Sequence, residues 1–234
     1  MLGERRAHWC EHSLRECSRS PMRYSSGSGF LAGEHPPGLS LAALPRRLLA
    51  LDEMGDPTME KTISDVTIEC VQGDIASQEG VAAVVNAANA QLMIGGGVAG
   101  ALHRAAGPGL SEECRPLAPI EPGEAVITGG HNLPNRYVIH CLGPVYGLDR
   151  PGDELLARCY RNALRLAEEH EIESIAFPAI STGAFGYPVE EAAEVALGTI
   201  VEIVPNLDSV RRIRFVLYGV RDLEVHERVL SRKA

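Results

Sequence analysis

The stretch VAAVVNAANAQLMIGGGVAGALHRAAG, residues 81–107, decides how this chain folds. It opens on a nearly unbroken apolar run, VAAVVN (81–86), of the kind a strand shows when both its faces are buried. Residues 98–106 then read as a helix. A buried strand therefore passes through a loop into a helix, the unit from which α/β sheets are built. Gly95, Gly96 and Gly97 stand in succession in that loop, and their entropic cost on folding needs a return. A backbone that must touch a phosphate, with a helix N-terminus behind it, is the usual reason.

Working outward, VTIECVQ (66–72), AVITG (125–129), YVIHCLG (137–143), SIAFPA (174–179) and IRFVLYG (213–219) read as further strands. Residues 110–117, 153–170, 189–203 and 222–231 read as helices, and 153–170 is the clearest. Strands alternating with helices predict a three-layer α/β/α sandwich around a largely parallel mixed sheet. In such sheets ligands bind beyond the carboxyl ends of the strands, so the loops there carry the chemistry.

Residues 1–60 differ in kind. They mix Arg, Ser, His, Gly and Pro without a sustained period, and Pro45 interrupts the one helix-like stretch, 39–51. They read as a disordered extension ahead of one domain over 61–234; Met54 and Met59, just before the first clear strand, allow a later start. No secretory signal is legible, and acidic residues count against a transit peptide. A formal net charge of −9 argues against a general nucleic-acid or anionic-membrane binder, though not against one small anionic ligand. Six cysteines without a C-x-x-C pair read as reduced, mostly buried thiols of a cytoplasmic protein. Neither the group His8, Cys10, His12 and Cys17 nor His131 and His140 has metal-ligand spacing, so no metal and no cofactor is expected.

Two more loops bear on function. PAISTGAFGYP (178–188) follows a buried strand and leads into a helix near Pro188. Its small residues suit a chain that wraps a pyrophosphate with N–H groups, and Phe185 offers a flat face to a sugar. A plain strand-to-helix connection would also use glycines; two such loops at strand ends favour the anion site. Asp74, straight after VTIECVQG, either caps the next turn or accepts a hydrogen bond from an exocyclic amine. The string Gly95-x-Gly97-x-x-Gly100 also matches the dinucleotide fingerprint literally, but residues 86–94 intervene and no acidic strand end follows.

Taken in order, the QGDI turn, the VVNAAN strand end, the GGGV turn, VIHCLGP and PAISTGAFGYP resemble the macrodomain family over residues 62–234. The resemblance implies the same sandwich and a shared capacity to bind ADP-ribose, free or on a modified protein or metabolite, in a commonly monomeric domain. It assigns Asp74 to the adenine amine, Ile75 to a neighbouring backbone contact and Asn89 to the distal ribose. Gly95, Gly96, Gly97 and Val98 would face the diphosphate from one side; Ser181, Thr182, Gly183, Ala184 and Phe185 would enclose it from the other. Tyr218, at the end of RFVLY, would pack on adenine, or is simply a strand-end aromatic.

Many macrodomains hydrolyse ADP-ribosyl esters or O-acetyl-ADP-ribose, and in the commonest hydrolytic branch Asp follows GGGV. This chain has Ala99 there, which takes no proton and orients no water. Asn89 and His103 remain as catalytic candidates. His103, four residues on from Ala99, either points toward the distal ribose or is a partly buried helix histidine. Three functions follow: a slow ADP-ribosyl hydrolase, a non-catalytic ADP-ribose reader, and an NAD-dependent oxidoreductase.

Overall fold

The computed structural model describes residues 59–233. The expected extension, residues 1–60, lies outside them except for its last two residues, which open a strand. That strand, β1 (Met59–Ile63), was not anticipated. It pairs antiparallel with β2 (Val66–Gln72) across a two-residue turn in which Ser64 and Asp65 both have positive φ, 46° and 68°.

Beyond β2 the elements alternate as expected: β3 (Ala83–Ala87), α1 (Gly97–Ala106), α2 (Pro108–Cys114), β4 (Ala125–Gly129), β5 (Tyr137–Cys141), α3 (Gly152–Glu169), β6 (Ser174–Phe177), α4 (Val189–Ile203), β7 (Arg212–Leu217) and α5 (Val220–Arg232). The seven strands form one sheet in the order β1-β2-β7-β6-β3-β5-β4. Its interior pairings are parallel, and its two edges, β1 on β2 and β4 on β5, are antiparallel.

Alternation along the buried strands produces the three layers. Ala83 and Val85 of β3 join the core under α3, α4 and α5, whereas Val84 between them joins the core under α1 and α2. The aromatic centre of the first core is Tyr160, Phe177 and Phe215, with ring centroids 5.2 to 6.3 Å apart. Burying rings at these separations adds about 0.5–1.5 kcal/mol per pair beyond the area effect. Cys70, Cys114, Cys141 and Cys159 are free and buried, and burial raises all four thiols, that of Cys70 to about 12. No helix among the described residues is long and apolar enough to cross a membrane.

Candidate functional site

The strand ends of β3, β5 and β6 open onto a cleft of about 280 Å³. Its first wall is the loop from β3 to α1, contributing Ala87, Ala88, Asn89, Gly95, Gly96, Gly97, Val98 and Ala99. The second wall follows β6 and contributes Ala179, Ile180, Ser181, Gly183, Ala184 and Phe185, while Gly143, just past β5, completes the lining. Thr182 turns away, its hydroxyl donating to the Ala179 carbonyl at 2.9 Å.

The first wall folds directly onto its own helix. A Cβ at Gly100 would lie 2.3 Å from the Gly95 carbonyl oxygen, so only glycine lets the turn close there. This contact accounts for the third glycine of the Gly95-x-Gly97-x-x-Gly100 string without any dinucleotide fingerprint, and residues 88–96 separate β3 from α1. Helix α1 begins with Gly96 as N-cap, no side-chain cap and no acidic residue in its first turn. Its first N–H groups are therefore without intrahelical partners and its positive end is uncompensated at the cleft. Asn89 braces the turn from the other side, accepting from Met93 N at 3.1 Å and donating to Met93 O at 2.7 Å.

The second wall is held under tension at one residue. Ser181 adopts φ 69°, is 6% exposed, and its hydroxyl has no partner. A buried unsatisfied hydroxyl costs about 1–3 kcal/mol, and unusual backbone of this kind concentrates at ligand clamps. The hydroxyl lies against Gly143, where a Cβ would come within 2.1 Å of it. Tyr146 supports the same wall from behind. Its N–H donates to the Phe185 carbonyl at 2.9 Å, its ring packs edge-on against Tyr187 at 4.9 Å, and its hydroxyl donates to Glu191 at 3.2 Å.

Asp74, Ile75 and Tyr218 stand apart from this lining, at the ends of the adjacent strands β2 and β7. Asp74 is exposed and caps a short 3-10 turn, Ile75–Ser77, through Oδ1, which accepts from Ala76 N at 2.9 Å. The side chain of Ile75 is buried in the core. Tyr218 is 86% exposed. These groups and the two walls therefore lie in series along the sheet, running from β2 and β7 through β6 to β3.

His103 is not in the cleft. It is 3% exposed, its Nδ1 is 3.0 Å from the Ser111 hydroxyl, and its ring lies 6.4 Å from that of His140. The four-residue spacing from Ala99 does place both on one helix stripe, but that stripe is the buried one, with Ala99 itself 5% exposed. Burial lowers the pKa of His103. Beneath the first wall, His140 accepts from Asn86 Nδ2 at 3.0 Å on Nδ1 and donates from Nε2 to Thr128 Oγ1 at 2.9 Å. Burial, reinforced by His103, holds it near pKa 3, so it is neutral. His131 pairs instead with Glu113 at 2.7 Å.

The chain matches the model of the Macro domain over residues 85–196. A macro domain-containing protein of Chlorobaculum tepidum is 49% identical over 168 residues, covering 71% of this chain and 97% of that one. The chain belongs to the macro domain family. The ADP-ribose glycohydrolase MACROD2 of Mus musculus is 45% identical over 178 residues, 75% of this chain but only 37% of that protein. Among solved structures, the Oceanobacillus iheyensis macrodomain with ADP superposes with a TM-score of 0.71 at 42% identity, over 74% of this chain and 95% of that one. The Trypanosoma brucei macrodomain in complex with ADP-ribose gives 0.65 at 36% identity, over 69% and 68%.

Three features of this macro domain's cleft escape the sequence reading. Gly143 is visible only as the glycine that closes a buried strand. Tyr146 sits in a turn whose sequence carries no signal. The unpartnered state of the Ser181 hydroxyl depends on the fold around it.

Proposed function

We propose that the cleft binds ADP-ribose. The adenine lies at the β2 and β7 end, against Tyr218, with the free oxygen of Asp74 accepting from its amine and Ile75 beside it. The diphosphate lies between the N–H groups of residues 95–98 and those of 181–185, and the distal ribose beside Asn89, Val98 and Phe185. The observation that carries this reading is a cleft lined by two backbone walls, with an uncompensated helix N-terminus on one and the buried, unpartnered Ser181 hydroxyl on the other. The ADP held by the similar Oceanobacillus iheyensis structure and the ADP-ribose held by the Trypanosoma brucei one support it.

The same site hydrolyses ADP-ribosyl esters slowly, on a carboxylate side chain of a protein or in O-acetyl-ADP-ribose. Water adds across the ester, releasing ADP-ribose as the alcohol and the protein carboxylate or acetate as the acid. The 45% identity to ADP-ribose glycohydrolases supports hydrolysis, and the lining supports a slow rate. With Ala99 at the first wall and His103 buried behind it, no side-chain acid or base faces the bond. Such a group contributes about 10²–10⁴-fold, so water held only by loop N–H groups and the ligand's own diphosphate reacts at a correspondingly reduced rate.

A non-catalytic reader is the second reading, and the position of Ala99 favours it. Ala99 is the third residue of α1, where a carboxylate would compete with the diphosphate for the same N–H groups. Calorimetry with ADP-ribose followed by hydrolysis assays on the same sample separates the readings. Binding with turnover over hours supports the hydrolase; binding with both ester substrates intact supports the reader; no binding removes both.

A further inference from the structure

Exposed large apolar side chains are informative when they cluster, and here most gather at one end of the sheet. Of the seven among the described residues, five lie in loops after β3, β5 or β7, namely Met93, Ile94, Tyr146, Leu148 and Tyr218, and Val220 is the first residue of α5, just past β7. Those after β5 and β7 flank the second wall and the adenine end of the proposed site. Met93 and Ile94, 62% and 55% exposed, serve neither. With Gln91, Leu92, Ser111, Arg115 and Ala118 they line a second concavity, also about 280 Å³, between the first wall and α2. Leu117, 37% exposed, adjoins it as the seventh.

Two observations tie this groove to the cleft. The carboxamide that lines the cleft, Asn89, is the group that fixes Met93 by two hydrogen bonds. The groove also lies at a defined end of the ligand. The sheet places the adenine residues at β2 and β7 and the diphosphate walls at β6 and β3; α2, which forms the far side of the groove, packs on β4, the strand furthest along the same direction. The groove thus continues the cleft past the distal ribose, where whatever carries the ADP-ribose must leave. Arg115 is its sole charged lining residue and makes no ion pair among the described residues. The neighbouring carboxylate of Glu113 is occupied by Gly129 N and His131.

We propose that this groove docks the polypeptide that bears the ADP-ribose, taking an apolar side chain against Met93 and Ile94 and an acidic one on Arg115. The proposal rests on the ADP-ribose reading of the cleft. A contiguous apolar surface with one unpaired cation fits a short acidic-hydrophobic segment, and not the uniformly anionic, sugar-rich surface of a polymer of ADP-ribose.

The test uses the full chain and three ligands: free ADP-ribose, a peptide with ADP-ribose amide-linked to one glutamine flanked by Leu and Asp, and the same modified peptide flanked by Gly. The wild-type chain binds the Leu/Asp peptide about tenfold tighter than the Gly peptide, the scale of one apolar anchor with a partly desolvated ion pair. Ile94→Ser and Arg115→Glu, both on exposed side chains, each remove most of that advantage and leave free ADP-ribose affinity unchanged. Equal affinities for the two peptides overturn the proposal, as does a loss for Arg115→Glu that is the same for free ADP-ribose. Failure of free ADP-ribose to bind overturns the parent reading instead, and this one with it.

Discussion

Gly100→Ala separates helix propensity from site geometry, because the two push in opposite directions. Inside an exposed helix the change from glycine to alanine stabilises by about 1 kcal/mol. At Gly100 the added Cβ would lie 2.3 Å from the Gly95 carbonyl oxygen and 3.3 Å from the Gly95 carbonyl carbon. Carbon–oxygen contacts settle at about 3.3 Å or more, so the turn must retreat by about 1 Å. That turn is exposed and free to retreat, so global stability changes little. The N–H groups of residues 95–98 are displaced from a bound diphosphate, and losing one or two charge-assisted hydrogen bonds at about 1.5–3 kcal/mol each weakens binding by roughly one to four orders of magnitude. Calorimetry with ADP-ribose gives the affinity and thermal unfolding gives the stability of the same variant. A variant that binds ADP-ribose like the wild type refutes the claim that close packing of the turn on α1 places the phosphate donors. A melting temperature that collapses along with the affinity would instead make Gly100 a folding residue.

Three further outcomes are expected. Asp74→Ala weakens ADP-ribose binding by about 1–3 kcal/mol, and unchanged affinity in the same titration would mean that Asp74 serves only its cap to Ala76. Ala99→Asp raises ester hydrolysis by up to about 10²-fold, at the low end of general acid–base effects, while costing about 0.3–1 kcal/mol of ADP-ribose affinity through competition at the α1 terminus; a flat rate would leave water to the loop and ligand. Stability falls on acidification below neutrality. The His140 pKa of about 3 lies below its unfolded value near 6.5, so the unfolded chain takes up the proton first and the stabilising difference, complete above pH 6.5, is lost as pH drops toward 3. His140 alone makes this about 2 kcal/mol between pH 7 and 5, read from urea midpoints, and burial of His103 and His226 acts in the same direction. A flat profile over that range would mean that His140 is charged or accessible.

Sequence and structure agree where turn residues bound the element, Ser64-Asp65 before and Gly73-Asp74 after β2, and Gly123 before and Gly130 after β4. β2 and β4 begin and end where their apolar runs do, and α4 spans 189–203 as read. The strands read too long are those leading into the site. YVIHCLG, SIAFPA and IRFVLYG each overrun the ladder by two residues, which pass into the loops beyond the strand ends, where Leu142 stays as buried as a strand residue. The helix read over 110–117 instead starts at Pro108 and ends at Cys114, where Pro116 gives way to a 3-10 turn. β1 is invisible because it is an edge strand: MEKTI exposes every second residue, and its Ser-Asp turn lacks the usual Asn-Gly. The two walls were legible because glycine is costly and needs a cause. His103 was not, since i+4 spacing says which residues share a stripe but not which way the stripe faces.

The composition of the cleft lining carries one more consequence. It presents no Lys and no Arg, only N–H dipoles, hydroxyl, carboxamide and apolar surface, inside a chain of formal net charge −9. Phosphate sites built on cations lose affinity as salt rises, because the attraction is screened. Here the short-range dipoles are barely screened, whereas the long-range repulsion between an acidic protein and a dianionic ligand is. ADP-ribose affinity should therefore hold steady or rise modestly between low and physiological ionic strength, the reverse of the trend for a site that holds its anion by charge.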